Sequence, residues 1–179
     1  MRMSWTTAFA LAAAAALLTS QTACDSSSEK SSGEAPAVET PQTPEAYVEL
    51  AAKLRREGKK AEAADTALKA YVLARTGTRV AERLELAKSY GAAGTDKLTM
   101  GAINEIKDLE REKNNGLEVD EVAIAEVYAQ IGDPNAVFRW LGRAVEKKSP
   151  RLADIANNPD LEPVKQDPRW EQFLATIPK

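Results

Sequence analysis

Apolar side chains recur at three- and four-residue spacing from Pro44 onward, which is the period of an amphipathic helix. A first stripe contains large residues and one alanine: Tyr47, Leu50, Ala51 and Leu54. A break around Gly58 precedes a second stripe of small residues: Ala63, Ala67 and Ala70. Because small side chains let two helices approach closely, the pattern predicts an antiparallel helical hairpin.

The hairpin pattern recurs twice along the chain. Its markers return after 36 residues and then after a further 38 residues. They are an aliphatic–Ala pair (Leu50-Ala51, Leu86-Ala87, Ile124-Ala125), a large residue (Leu54, Tyr90, Tyr128), a glycine (Gly58, Gly94, Gly132) and a second-helix residue (Ala70, Ile106, Ala144). The aliphatic residue precedes the glycine by 8 residues in every copy, and the glycine precedes the second-helix residue by 12. Equal internal spacing predicts three stacked hairpins, with insertions between the repeats.

These markers resemble the tetratricopeptide repeat (TPR) family, whose pattern has an aromatic residue, a Leu–Gly/Ala pair, a loop glycine and second-helix alanines. The first copy matches best, whereas Arg83 and Glu121 stand at the position of the opening aromatic in the other two. The resemblance covers residues 44–149. It implies an all-α fold, namely a right-handed α-solenoid of about three helical hairpins.

The C-terminal segment 150–179 is similar to a recurrent ending of bacterial repeat proteins, with short Pro-led helices and an Asp-Pro-Arg-aromatic sequence before a final helix. Pro159, Pro163 and Pro168 punctuate it. Its apolar residues are Leu152, Ile155, Leu161, Val164, Trp170, Phe173 and Leu174. We expect a short helical cap that covers the last hydrophobic edge of the repeats, with Trp140 and Trp170 in its core.

In the TPR family the first helix of each hairpin lines the concave side, so the resemblance implies a partner-binding groove on these helices. The corresponding residues are Val48, Ala52 and Arg55, then Leu84 and Lys88, then Val122, Glu126 and Ala129. This groove would be partly apolar, with Arg55, Lys88 and Glu126 on its rim, and would suit an extended or helical peptide. In the alternative interpretation, Val48, Leu84 and Val122 only pack against neighbouring helices.

The N-terminus carries an export pattern, in which Arg2 precedes an unbroken apolar run over residues 8–18. As a helix this run would rise about 16 Å, roughly half the hydrocarbon thickness of a bilayer. The following Thr22-Ala23-Cys24 resembles a bacterial lipoprotein box, which implies that residues 1–23 are a signal peptide and that Cys24 becomes a lipidated N-terminus bearing fatty acids such as palmitate. The alternative is an ordinary secretory signal that leaves a spare thiol.

Residues 24–43 form a Ser-, Glu- and Pro-rich linker with Val38 as its only large aliphatic residue. Such a composition cannot offset the entropy of ordering the chain, so we expect a disordered tether. A flexible coil of this length would span about 25 Å root-mean-square, enough to lift the folded part off a membrane.

Composition excludes several kinds of chemistry. The chain has no histidine and one cysteine, which argues against Cys/His zinc sites and His-dependent catalysis. We expect no metal site and no cofactor. Its net charge is −3, and loss of Arg2 with the signal peptide would make it −4, so a nucleic-acid partner is not expected. Carboxylate pairs such as Asp120-Glu121 stand near predicted helix starts, where the helix dipole stabilises them.

The leading hypothesis is therefore a lipid-anchored lipoprotein of the bacterial cell envelope that faces the periplasm. It would not be an enzyme but a scaffold or adaptor that binds another envelope protein or peptide through a TPR groove, for example in the assembly of an envelope complex. Two alternatives stay open: an enzyme with a carboxylate site that needs no histidine, and an accessory protein that binds peptidoglycan or a small ligand beside Trp140 and Trp170.

Overall fold

The computed structural model describes residues 41–74 and 79–177, which form helices joined by turns and loops, without strands. The helices are α1 (Pro44–Arg56), α2 (Lys60–Leu73), α3 (Val80–Ala93), α4 (Asp96–Asn114), α5 (Glu121–Ile131), α6 (Pro134–Glu146), two 3-10 helices (Pro150–Asn157 and Pro159–Val164) and α7 (Arg169–Leu174). The all-α class is thus confirmed. The signal segment, Cys24 and the tether up to residue 40 lie outside the described residues.

Side-chain caps fix where several helices begin. The Thr43 hydroxyl accepts a hydrogen bond from the Ala46 amide at 3.3 Å, and Pro44 follows in the first turn. The Asp120 and Asp133 carboxylates cap α5 and α6 in the same way. Each cap satisfies an amide that the first helical turn leaves without a partner, so these boundaries follow from local sequence.

The repeat glycines are Gly58, Gly94 and Gly132, and each lies between the two helices of its own hairpin. Their φ angles are +79°, +69° and +86°, the left-handed region that glycine adopts without a steric cost. All three repeat glycines therefore adopt a positive φ at the turn between their helices. At these points the chain reverses with few connecting residues, which lets each pair of helices pack along its length.

The helices pair in sequence order: α1 with α2, α3 with α4, and α5 with α6. Helix α3 also contacts α1, α2 and α5, so the first helices of the hairpins form a row with α3 in the middle. We call this arrangement the first-helix row. Among the described residues, no helix combines the length and the apolar character needed to cross a membrane.

The core of the described residues consists of two clusters of unequal size. The larger joins α3–α6 to the C-terminal segment and contains fully buried Ile106, Leu141 and Leu161. Trp140 and Trp170 are each 4% exposed and belong to it, which confirms the expectation that they are core residues. The smaller cluster, around Ala51 and its neighbours on α2 and α3, supports the first hairpin. Since hydrophobic stabilisation grows with buried apolar area, this small cluster contributes less.

The C-terminal segment returns along the chain's earlier helices. Its second 3-10 helix, Pro159–Val164, packs against α5, and α7 packs against α6. Of the prolines expected to punctuate the segment, Pro159 opens the second 3-10 helix, Pro163 lies inside it, and Pro168 immediately precedes α7. The segment therefore reaches the first-helix row as well as the last hairpin.

Candidate interaction site

Rim residues assigned to a groove from the sequence lie together in the folded chain, although they come from three helices. Lys88 Nζ lies 3.6 Å from Glu126 Oε2 and 3.3 Å from Glu85 Oε2. Arg55 donates to both oxygens of Glu85, from Nε and from Nη2, at 3.2 Å each. The first-helix row thus brings charged side chains of α1, α3 and α5 into one continuous ion network.

Asp160, on the second 3-10 helix, completes this network. Its Oδ1 accepts from Arg55 Nη1 and its Oδ2 accepts from Lys88 Nζ, both at 2.8 Å. Its backbone carbonyl accepts from Gln130 Nε2 at 2.8 Å. We refer to Arg55, Glu85, Lys88, Glu126 and Asp160 as the Asp160 cluster.

Two side chains of the C-terminal segment bind the buried Glu126. This side chain accepts hydrogen bonds from Asn158 Nδ2 at 2.8 Å and from the Arg151 guanidinium. Both donors belong to the C-terminal segment. Residues 150–164 therefore cover the first-helix row at the level of Arg55, Lys88 and Glu126, and their polar groups match those beneath them.

Burial and ion pairing oppose each other in the Asp160 cluster. Burial alone would raise the pKa of Asp160, but the Lys88 ammonium and the Arg55 guanidinium outweigh it and hold the pKa well below its usual range. Burial would lower the pKa of Lys88, and the carboxylates of Glu85, Asp160 and Glu126 raise it instead. Asp160 and Lys88 are therefore both charged at neutral pH, as their charge-assisted hydrogen bond requires.

The eight residues assigned to the groove fall into three environments. Arg55, Lys88 and Glu126 belong to the Asp160 cluster beneath residues 150–164. Four apolar residues are buried or packed on the larger core: Ala52, Leu84, Val122 and Ala129. Val48 is half-buried and lines an open depression. Partner binding by these residues stays a prediction, and at the covered positions it would require residues 150–164 to move.

Sequence reasoning missed Glu85 and Asp160. Glu85 lies three residues before Lys88 on the same helix, so an ion pair along that face could have been anticipated. Asp160 gave only the signal of an acid near a helix start, and indeed its amide is held by the Asn158 side chain at 2.9 Å. Nothing local relates Asp160 to Arg55, which is 105 residues away.

The depression beside Val48 lies at the N-terminal end of α1 and α3. Its volume is about 180 Å³, and it is lined by Glu45, Val48, Glu49, Arg79, Ala81 and Glu82. On α1, Val48, Ala52 and Arg55 follow one another at helical spacing, so this depression and the Asp160 cluster occupy the same side of the first-helix row. We call it the Glu82 depression.

The indole of Trp140 has partners within the chain. Its Nε1 donates to Glu110 at 3.1 Å, and the Arg143 guanidinium lies 4.4 Å from the ring centroid. Tyr128 donates to the same Glu110 oxygen at 2.7 Å, which ties α4, α5 and α6 together. Within residues 41–74 and 79–177, no three or more acidic or other ligand side chains are arranged to hold a metal ion.

Comparison of the chain with family models, with curated proteins and with solved structures gave no match.

Proposed function

We propose that this protein is a lipid-anchored member of the TPR family that binds another polypeptide at the bacterial cell envelope, as an adaptor and not as an enzyme. The first-helix row supports this most directly, because α1, α3 and α5 contact one another in order and each begins a hairpin of equal internal spacing. A right-handed α-solenoid of such hairpins offers an extended concave surface for a partner.

The proposed anchor is Cys24, lipidated after removal of residues 1–23. Acyl chains contribute about 0.8 kcal/mol for each buried methylene, so more than one chain would hold the protein on a membrane stably. Residues 24–43 would then act as the tether, and the helical part would face the periplasm. This assignment depends on the sequence pattern at residues 22–24.

The partner is proposed to enter at the Val48 end of the first-helix row. Residues 150–164 cover the Arg55 end through Asp160 and Asn158, whereas Val48 lines the Glu82 depression. An extended or helical segment of another envelope protein could lie there without displacing the C-terminal segment.

The proposal is tested with the full chain in its native membranes. A photo-crosslinking amino acid is placed at Glu49, which is exposed at the Glu82 depression, or at Lys69, which is exposed on α2. We expect a discrete crosslinked polypeptide from the Glu49 position and not from the Lys69 position. Acyl-chain labelling of wild type and Cys24→Ser is measured in parallel, with label expected only in wild type.

Two outcomes would contradict the proposal separately. Identical crosslinking patterns from Glu49 and Lys69 would remove the binding surface from the first-helix row. Acyl label in Cys24→Ser would remove the anchor from Cys24, whatever the crosslinking shows.

A further inference from the structure

The Glu82 depression is acidic. Among the described residues that line it, three are glutamates, Glu45 and Glu49 from α1 and Glu82 from α3, and Arg79 is the one basic residue. The Arg79 guanidinium bridges the two helices: it pairs with Glu45 and approaches Glu82 Oε1 with its Nε at 3.4 Å. The described lining residues therefore carry a formal excess of negative charge around an opening between α1 and α3.

Glu82 is the unusual member of this lining. Its side chain is 1% exposed, and its Oε2 has no hydrogen-bond partner among the described residues. Its ion partner Arg79 is 59% exposed, is shared with Glu45 and addresses the other oxygen. A buried carboxylate oxygen without a donor costs free energy, and an incoming cationic donor removes that cost.

The shape of the depression selects among cations. Its volume of about 180 Å³ is large enough for a single long side chain, and Val48 and Ala81 give it apolar wall beside the carboxylates. Lysine and arginine combine a methylene stem with a charged head, so the stem can contact apolar wall while the head reaches acids. The acidic side chains within residues 41–74 and 79–177 do not converge into a set that could hold a metal ion.

We propose that the Glu82 depression binds a lysine or arginine side chain of the partner, with Glu82 Oε2 accepting from its ammonium or guanidinium group. This inference rests on the proposed function for the existence of a partner, and it adds the partner's chemistry: a basic side chain on the bound segment. Glu49 on the rim contributes charge, and Arg79 keeps its contact with Glu45.

The test uses the full chain and N-acetyl-argininamide as the probe, with N-acetyl-citrullinamide as the neutral analogue of the same shape. Binding is followed by NMR shifts of the backbone amides of α1 and α3. We expect saturable shifts with the arginine probe and none with the citrulline probe. The affinity for the arginine probe should be at least about tenfold lower in Glu82→Gln, because a charged hydrogen bond is lost. The matched control is Glu62→Gln, since Glu62 is the third residue of α2, as Glu82 is of α3, but is exposed.

Glu49→Gln keeps the test decisive if Glu82→Gln does not fold, because Glu49 is exposed and its replacement should still weaken probe binding several-fold. Equal affinity in wild type and in the Glu82→Gln and Glu49→Gln variants, or equal binding of the two probes, would overturn the inference. If the arginine probe binds but no partner is crosslinked at Glu49, the result supports a binding site for a basic side chain in the Glu82 depression. It counts against the proposed function alone. A partner captured equally by wild type and Glu82→Gln would count against the role of Glu82 in binding a basic side chain and would leave the proposed function unaffected.

Discussion

The carboxylate of Asp160 lies between two cations from different helices, Arg55 on α1 and Lys88 on α3. Both cations are largely buried, with side-chain exposures of 4% and 13%. Charges removed from water are stabilised only if their partners are complete, so the energetic role of Asp160 is to keep two other residues satisfied. Removing the Asp160 carboxylate would therefore cost more free energy than its own hydrogen bonds contribute, because Arg55 and Lys88 would lose a charged partner.

Asp160→Asn should therefore destabilise the chain strongly. We expect the free energy of unfolding to fall by about 3 kcal/mol, because two buried cations lose a charged acceptor. Glu162→Gln is the matched control: Glu162 lies on the same 3-10 helix, is exposed and pairs only with Lys165 among the described residues, so its loss should cost less than about 0.5 kcal/mol. Urea unfolding of the two variants measures the difference, and equal effects would show that the Asp160 cluster contributes no more than a surface pair.

At the scale of helices, the distance between α3 and α5 depends on a glycine that is not part of the repeat pattern. A Cβ atom added at Gly91 would lie 3.1 Å from the Gln130 carbonyl carbon and from the Ile131 amide nitrogen. Contacts this short with backbone cannot be relieved by a rotamer change. The first-helix row therefore needs a residue without a side chain at this crossing, for packing and not for a turn.

Replacing this glycine and a second helical glycine by alanine should have opposite effects. Gly91→Ala should lower the free energy of unfolding by about 1–3 kcal/mol, because α3 and α5 must separate. Gly142 lies within α6 with open space around a built Cβ, so Gly142→Ala should raise it by about 0.5–1 kcal/mol through better helix propensity. Thermal or urea unfolding distinguishes them, and a stabilising Gly91→Ala would mean that these helices do not cross so closely.

At the scale of the whole molecule, the Asp160 cluster links the first hairpin to the C-terminal segment. The first hairpin has the smaller core, and α2 exposes Leu68, Val72 and Leu73. Its α1 nevertheless holds residues 150–164 through Arg55. Electrostatic pairing therefore supplements apolar packing where the packing is weakest, and the stability of the whole chain should depend on the charge of one carboxylate.

Acid should reveal that dependence. The pKa of Asp160 is lower in the folded chain than in the unfolded chain, so its contribution is fully present above the unfolded value of about 4 and is lost as pH falls toward the folded value. We expect the free energy of unfolding of wild type to decline from about pH 5 downward, and more steeply than that of Asp160→Asn. Urea unfolding between pH 3 and pH 7 measures both slopes.

Other carboxylates with lowered pKa, such as Glu121 beside Lys147 and Lys113, act in the same direction in both proteins. They cancel in the comparison of wild type with Asp160→Asn. Parallel slopes would therefore show that Asp160 is not responsible for acid sensitivity.

Local sequence was sufficient for the helical class, the positions of the hairpins and their glycine turns. Each of these depends on residues close together in the chain: apolar spacing, a capping hydroxyl such as Thr43, and a left-handed glycine such as Gly132. The burial of Trp140 and Trp170 also followed from the pattern, because large apolar side chains on a helical stripe need a core.

What covers the first-helix row was decided only by tertiary structure. Periodicity identifies the helix faces on which Arg55, Lys88 and Glu126 lie. It does not predict which distant segment packs on those faces. Asp160 meets Arg55 across 105 residues because the three hairpins bring their first helices together and the C-terminal segment turns back over them. The open, acidic Glu82 depression arises in the same way, since its two walls belong to α1 and α3 and exist only once those helices have packed.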